Sequence, residues 1–212
     1  MTITNSADSA STLFNITGNN QADSLTGSNG NDTLKGGAGV DNLNGGKGDD
    51  TLTLNTGAAT GSDADVVHFQ TAANNGIDTI IDFKSQSDII NVKLEAAAGA
   101  FNNSNTELVG NYTAANAAGT INDNIIVIDV DDVQYDDATA LMAGSTGLGS
   151  AIAGADARAI IVYGSSSATG ESRVAFGTIP NAGGVTNAVD VGIIKGIKSE
   201  AGNFNAADFL MA

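Results

Sequence analysis

The feature that most limits how this chain can fold is a run of nine-residue blocks beginning at Gly18: GNNQADSLT, GSNGNDTLK, GGAGVDNLN and GGKGDDTLT, joined without insertion. Their sixth positions are Asp23, Asp32, Asp41 and Asp50, and their eighth are Leu25, Leu34, Leu43 and Leu52. Two columns held in register mean that each block repeats one local conformation, so the chain winds instead of collapsing around a single centre. The first six positions carry turn chemistry, because glycine reaches positive φ without steric cost and aspartate tolerates tight turns. The last three, such as TLK or NLN, place one apolar residue between polar neighbours, a very short strand with one side chain pointing inward. Turn and strand in alternation predict a parallel β-helix in which two blocks make one coil. The first and third blocks then stack on one side, and the second and fourth on the other.

Glycine loses more backbone freedom on folding than any other residue, so a segment this rich in it needs a compensating interaction. Stacked turns that gather carboxylates and outward carbonyls repel each other unless a cation lies between them. Calcium suits such a place, being a hard ion that accepts about six to eight oxygens in flexible geometry, whereas magnesium demands a stricter octahedron. Calcium at ten times its dissociation constant adds about 1.4 kcal/mol per site. The balance of the whole chain agrees: 24 acidic residues against 8 basic ones give a formal charge of −16. That charge argues against nucleic acid and anionic membrane surfaces as partners, and no stretch approaches the roughly 18 apolar residues of a membrane span. The sequence contains no cysteine, which removes disulfides and thiolate metal sites from consideration.

These residues resemble the RTX family of calcium-binding nonapeptide repeats, whose pattern has glycines at positions one, two and four, aspartate at six and a large aliphatic at eight. Blocks three and four fit fully. Block two has Ser28 in place of the second glycine, and block one keeps Gly18 alone, with Asn19 and Gln21 at the other glycine positions. The resemblance implies a ligand set of the Asp23, Asp32, Asp41 and Asp50 carboxylates with carbonyls of Gly27, Asn29, Gly36, Gly37, Gly39, Gly45, Gly46 and Gly48. It also implies a cap with a weaker site at block one. After Thr53 the register fails, and a partial return appears in GSDADVVHF. The segment GIDTIIDFKSQSDIINV, residues 76 to 92, resembles the stretch that follows the repeats in many RTX proteins. Asp65, Asp78 and Asp82 are the candidate calcium ligands there, with turn or edge-strand roles as the alternative.

Residues 95 to 120 are small and polar and read as a loosely structured connection or a short helix with a loop. Beyond them NIIVIDV (124 to 130), RAIIVYG (158 to 164), RVAFGTI (173 to 179) and AVDVGIIKGI (188 to 197) are short and β-branched, hence strands. Between the first two, Asp136 or Asp137 is placed to cap a helix starting at Ala138. The amino terminus has no basic start and no continuous apolar run, so a cleavable secretory signal is not expected. The closing GNFNAADFLMA resembles the carboxyl end of RTX proteins exported by the type I, ABC-transporter route, and implies secretion by that exporter.

Other acidic or polar clusters have plainer readings. DVDDVQYDD, residues 129 to 137, departs from a helix-loop-helix calcium loop, since Gln134 stands where glycine is needed and Ala140 where the bidentate glutamate belongs. It reads as a solvated strand end. His68, the single histidine, lies in VVHF and reads as an outward strand residue, and GESR (Glu171, Arg173) reads as a hairpin turn. The sequence thus predicts a mainly β protein: an amino-terminal segment or cap at 1–17, a calcium-binding parallel β-roll with flanking strands at 18–94, a small-residue connection at 95–120 and a β-rich, type I secretion-like domain with one short helix at 121–212. No stretch is left over for an active site. The function expected is a secreted, non-enzymatic calcium-binding structural protein that assembles with itself in a surface layer or extracellular matrix. Two alternatives stay open, an export and folding module of a larger secreted hydrolase or toxin, and a calcium-dependent adhesin.

Overall fold

The structure is a computed structural model, and it describes residues 1–4, 13–55, 63–92, 109–112, 125–128, 137–145, 157–164, 170–179, 185–197, 203–204 and 208–211. The chain divides into two compact units, one of Met1–Leu94, Val191–Gly196 and Ala207–Ala212, the other of Glu95–Asp190 and Ile197–Ala206. The fold is mainly β.

The first unit is a roll of two parallel sheets. One holds β1 (Thr2–Thr4), β3 (Ser24–Thr26), β5 (Asn42–Asn44), β7 (Val66–Phe69), β9 (Ile89–Val92) and β15 (Phe209–Met211) in that order. The other runs β2 (Asn15–Thr17), β4 (Thr33–Gly37), β6 (Thr51–Asn55), β8 (Asp78–Ile81) and then the second half of β14 (Thr186–Lys195). Blocks one and three pair as β3 and β5, with Leu25 opposite Leu43, and blocks two and four as β4 and β6, with Leu34 opposite Leu52. This is the two-blocks-per-coil winding that the repeat predicts.

The core follows from the eighth column. Leu25, Leu43, Val67, Ile90 and Phe209 are successive partners in one sheet, and Ile16, Leu34, Leu52, Ile80 and Ile194 in the other. All ten are buried. Full burial of each such side chain contributes roughly 1.5–3 kcal/mol. The apolar stack therefore runs past the repeat at both ends: Ile16 extends it before block one, and Val67, Ile80 and Ile90 after block four. Between repeat coils the chain spacing is 18 residues, whereas the next coils need 24, 28 and 23. The extra residues include the short helix α1 (Ala72–Asn75). Longer turns between strands of unchanged register are why the nine-residue pattern fades while the roll goes on.

The second unit contains β10 (Val109–Tyr112), β11 (Ile125–Ile128), α2 (Ala138–Ser145), β12 (Ala157–Gly164), β13 (Glu171–Ile179) and the first half of β14. β10, β11 and β12 pair in parallel, and β12 and β13 form an antiparallel pair from Ala157 opposite Ile179 to Gly164 opposite Ser172. Asp137 caps α2, its Oδ1 accepting the Ala140 amide at 2.8 Å. Gly170 (φ 85°) sits in the turn before β13, and Glu171 and Arg173 begin the strand itself. Of DVDDVQYDD only Asp137 lies among the described residues, and the connection 95–120 is described only at β10.

Candidate metal centre

The aspartates form two ladders along the roll. In one, the amide of Asp23 donates to Asp41 Oδ1 (2.8 Å), that of Asp41 to Asp65 Oδ1 (2.9 Å) and that of Asp65 to Asp88 Oδ1 (3.0 Å). In the other, Phe14 donates to Asp32 (2.8 Å), Asp32 to Asp50 (2.7 Å) and Asp50 to Asp78 (3.1 Å). Each carboxylate thus holds the turn of the neighbouring coil, and a hydrogen bond to a charged acceptor contributes roughly 1.5–3 kcal/mol. The second ladder stops where Gly192 stands opposite Asp78, since a Cβ there would collide with the Phe69 ring.

The other carboxylate oxygen separates the coils. Asp23 Oδ2 accepts the amide of Asn19 (2.6 Å), Asp32 Oδ2 that of Ser28 (2.6 Å), and Asp88 Oδ2 that of Lys84 (2.7 Å), each four residues earlier. In blocks three and four that place belongs to Gly37 and Gly46, whose φ values of 114° and 105° are left-handed and suit glycine. There Asp41 Oδ2 and Asp50 Oδ2 are buried with no hydrogen-bond partner. Asn19 and Ser28, residues that break the glycine pattern, keep φ negative and turn their amides inward. The departures from the repeat therefore coincide with turns that satisfy their own carboxylates.

Space and donor chemistry at the two orphaned oxygens fit a hard cation. A Cβ on Gly36 would lie 2.5 Å from Asp41 Oδ2 and 2.8 Å from the Leu54 carbonyl, and one on Gly45 would overlap Asp50 Oδ2. The carbonyls of Gly36 and Gly45 in turn face Gly18 and Gly27 one coil away. Gly39 and Gly48 are also at positive φ, 104° and 113°, and Gly27 and Asn29 belong to the turn that ends at Asp32. Among the described residues no group of three or more histidine, cysteine or acidic side chains is arranged to hold a metal. Each turn offers one buried ladder carboxylate, and the main-chain oxygens around it complete a set suited to calcium.

Burial raises the affinity of these carboxylates for protons and outweighs the opposing pull of the amides that donate to them. It pushes Asp50 up to about 7, Asp65 to about 6 and Asp78 to about 8 from the ordinary 3.8, and Asp41 and Asp88 also rise. Asp23 is the exception, held below the usual range chiefly by the Met1 amine and then by the Asn19 amide.

A family comparison bears on the same segment: RTX calcium-binding nonapeptide repeats, four copies, match residues 17–52. Residues 17–52 are RTX repeats. No curated protein and no solved structure matched the chain. The RTX repeats thus cover both orphaned aspartates, and calcium is the ligand they imply.

Of the sequence candidates beyond the RTX repeats, Asp65 and Asp78 stand in the ladders, while Asp82 is exposed at φ 64° and lies outside both. Asp88 is a member that the sequence pattern does not single out, yet it ends one ladder. Its signal is an aspartate two residues before an inward apolar residue, Ile90, as Asp41 precedes Leu43. His68 is outward on β7, with Nε2 3.4 Å from Asn42 Oδ1. No helix among the described residues is long and apolar enough to cross a membrane.

Proposed function

We propose that this is a secreted structural protein whose repeat roll stays unfolded where calcium is scarce and orders outside the cell, and that it assembles with its own copies in a surface layer or extracellular matrix. The observation that carries the calcium part is the pair of buried, unpartnered oxygens, Asp41 Oδ2 and Asp50 Oδ2. Calcium, when bound, supplies the positive charge that no donor of the chain provides there. Asp41 and Asp50 would hold it, with carbonyls of the glycine turns. Because the chain binds the metal only once its turns have formed, binding free energy is folding free energy. The likeness of the closing ADFLM to type I export signals supports the route.

Assembly is supported by the ends of the roll. Among the described residues β1 ends one sheet and β2 the other, and Thr2, Thr4, Asn15 and Thr17 on them are exposed. Unpaired strand edges are templates for pairing with another chain. The same edges favour a second reading, in which further coils of a longer secreted protein stack there. Light scattering and negative-stain microscopy in millimolar calcium test the first reading, which expects multimers or sheets that chelator disperses. A protein that stays monomeric at all calcium levels contradicts assembly.

A further inference from the structure

The coils after the RTX repeats keep the aspartate ladder but treat its free oxygens differently. Asn55 is the register partner of Gly37, and its Nδ2 donates to Asp65 Oδ2 at 3.1 Å. Asn75 ends α1, and its Nδ2 donates to Asp78 Oδ2 at 3.0 Å and to the Val191 carbonyl at 2.9 Å, while its Oδ1 accepts the Gln70 amide at 2.8 Å. Both asparagines are buried, Asn75 to within 1%. The oxygens that stand bare on Asp41 and Asp50 are thus occupied on the next aspartate of each ladder by a side-chain amide. With a longer contact to the Gly76 carbonyl, four bonds fix the Asn75 side chain, so its amide cannot swing away without leaving other buried groups unpaired.

We infer that Asn55 and Asn75 are built-in stoppers, amides that take the place of calcium on Asp65 and Asp78 and end each metal ladder at the RTX repeats. This rests on the calcium reading above and sharpens it, because Asp65 and Asp78 become ladder residues that bind no metal. A side-chain amide is chemically suited to this role, since its N–H donates directly to the carboxyl oxygen and needs no ion from solution. Asn55 closes β6 in register with Gly37, and Asn75 closes α1 in the longer connection between β7 and β8.

Equilibrium dialysis of the full chain against calcium, with Asp41→Asn, Asp50→Asn, Asp65→Asn and Asp78→Asn, tests the inference. The expected result is one ion fewer per chain in each of the first two variants and the wild-type number in the last two. Loss of an ion in Asp65→Asn or Asp78→Asn overturns it. Should Asp78→Asn fail to fold, the exchanged pair Asn75→Asp with Asp78→Asn restores an amide–carboxylate bond and must again bind the wild-type number. The side-chain amide protons of Asn55 and Asn75 give a separate reading by NMR on folded wild-type protein. Slow exchange supports the stoppers, and exchange at the rate of a solvated amide overturns them. Wild-type protein that binds no calcium overturns the calcium reading and the inference with it, whereas protein that binds calcium but leaves these amides unprotected overturns the inference alone.

Discussion

Asp190 in the second unit and the pair Asp41 and Asp50 in the roll handle burial in opposite ways. In the second unit, Asp190 is buried on β14 and amply served: the Tyr163 hydroxyl donates to Oδ1, and Arg173 Nη1 and the Ala138 amide donate to Oδ2, each at 3.1 Å. The guanidinium offsets the carboxylate charge, and the same acid fixes the start of α2. Tyr163, desolvated and facing that charge, has its hydroxyl pKa raised, so it stays a donor. In the roll, Asp41 and Asp50 are as deeply buried, with neither cation nor donor on the outer oxygen. A carboxylate that brings its own partners is stable in any solvent, and one that lacks them depends on what the solvent supplies. On the proposed reading Asp190 is completed by the sequence, and Asp41 and Asp50 by an ion.

The largest effect that sharpens this contrast is expected from Asp190→Ala. Removing the shared acceptor leaves Arg173 and the Tyr163 hydroxyl buried without it, at a cost of about 3–5 kcal/mol that is the same in calcium and in chelator. Urea unfolding at both conditions measures it, and a calcium-dependent loss would break the contrast.

Next in size is the pH response of the metal-free roll. Asp65, Asp50 and Asp78, raised to about 6, 7 and 8 from 3.8, hold protons in the folded state that the unfolded chain has released. Their contribution is fully present below pH 3.8 and is lost as pH rises through 6 to 8. Asp23, lowered, works in the opposite sense but only below its ordinary value. Urea midpoints in chelator should therefore fall from about pH 5 to about pH 9. With calcium the trend should reverse, because protons compete for the same oxygens. A flat profile in chelator contradicts the burial argument.

Asp50→Asn should change sign with the metal. In calcium it raises the refolding midpoint about tenfold, or about 1.4 kcal/mol, by removing one charged ligand. In chelator at pH above about 7 it should be neutral or stabilising, because a buried charge disappears. The smallest effect expected is Asp137→Ala, about 1 kcal/mol from the lost α2 cap and indifferent to calcium. Thermal unfolding with and without chelator reads both.

The roll was legible because its two columns encode geometry directly: an aspartate that holds the neighbouring turn and a leucine that points inward, at a fixed interval. The strands of the second unit were legible from β-branched runs, and Asp137 as a cap from its place before an alanine-rich stretch. What the sequence hid depends on turns of variable length. Asp88 lies outside the nine-residue register, and Asn55 and Asn75 stand ten and three residues before the carboxylates they bond, off the four-residue spacing of the repeat turns. Ile16 in NIT carries the strand signature without the glycines, so the coil before block one reads as a cap. Asp190 looks like any outward polar residue of an alternating strand until Tyr163, Arg173 and α2 are seen around it.

The most direct measurement is backbone amide exchange, residue by residue, with calcium and with chelator, comparing Leu43 and Leu52 in the roll with Ile161 and Val174 in the second unit. The account predicts that chelation at pH above about 7 frees the roll amides to exchange while those of the second unit stay protected. Equal protection of Leu43 and Leu52 with and without calcium would contradict it, and would leave the aspartate columns as turn formers alone.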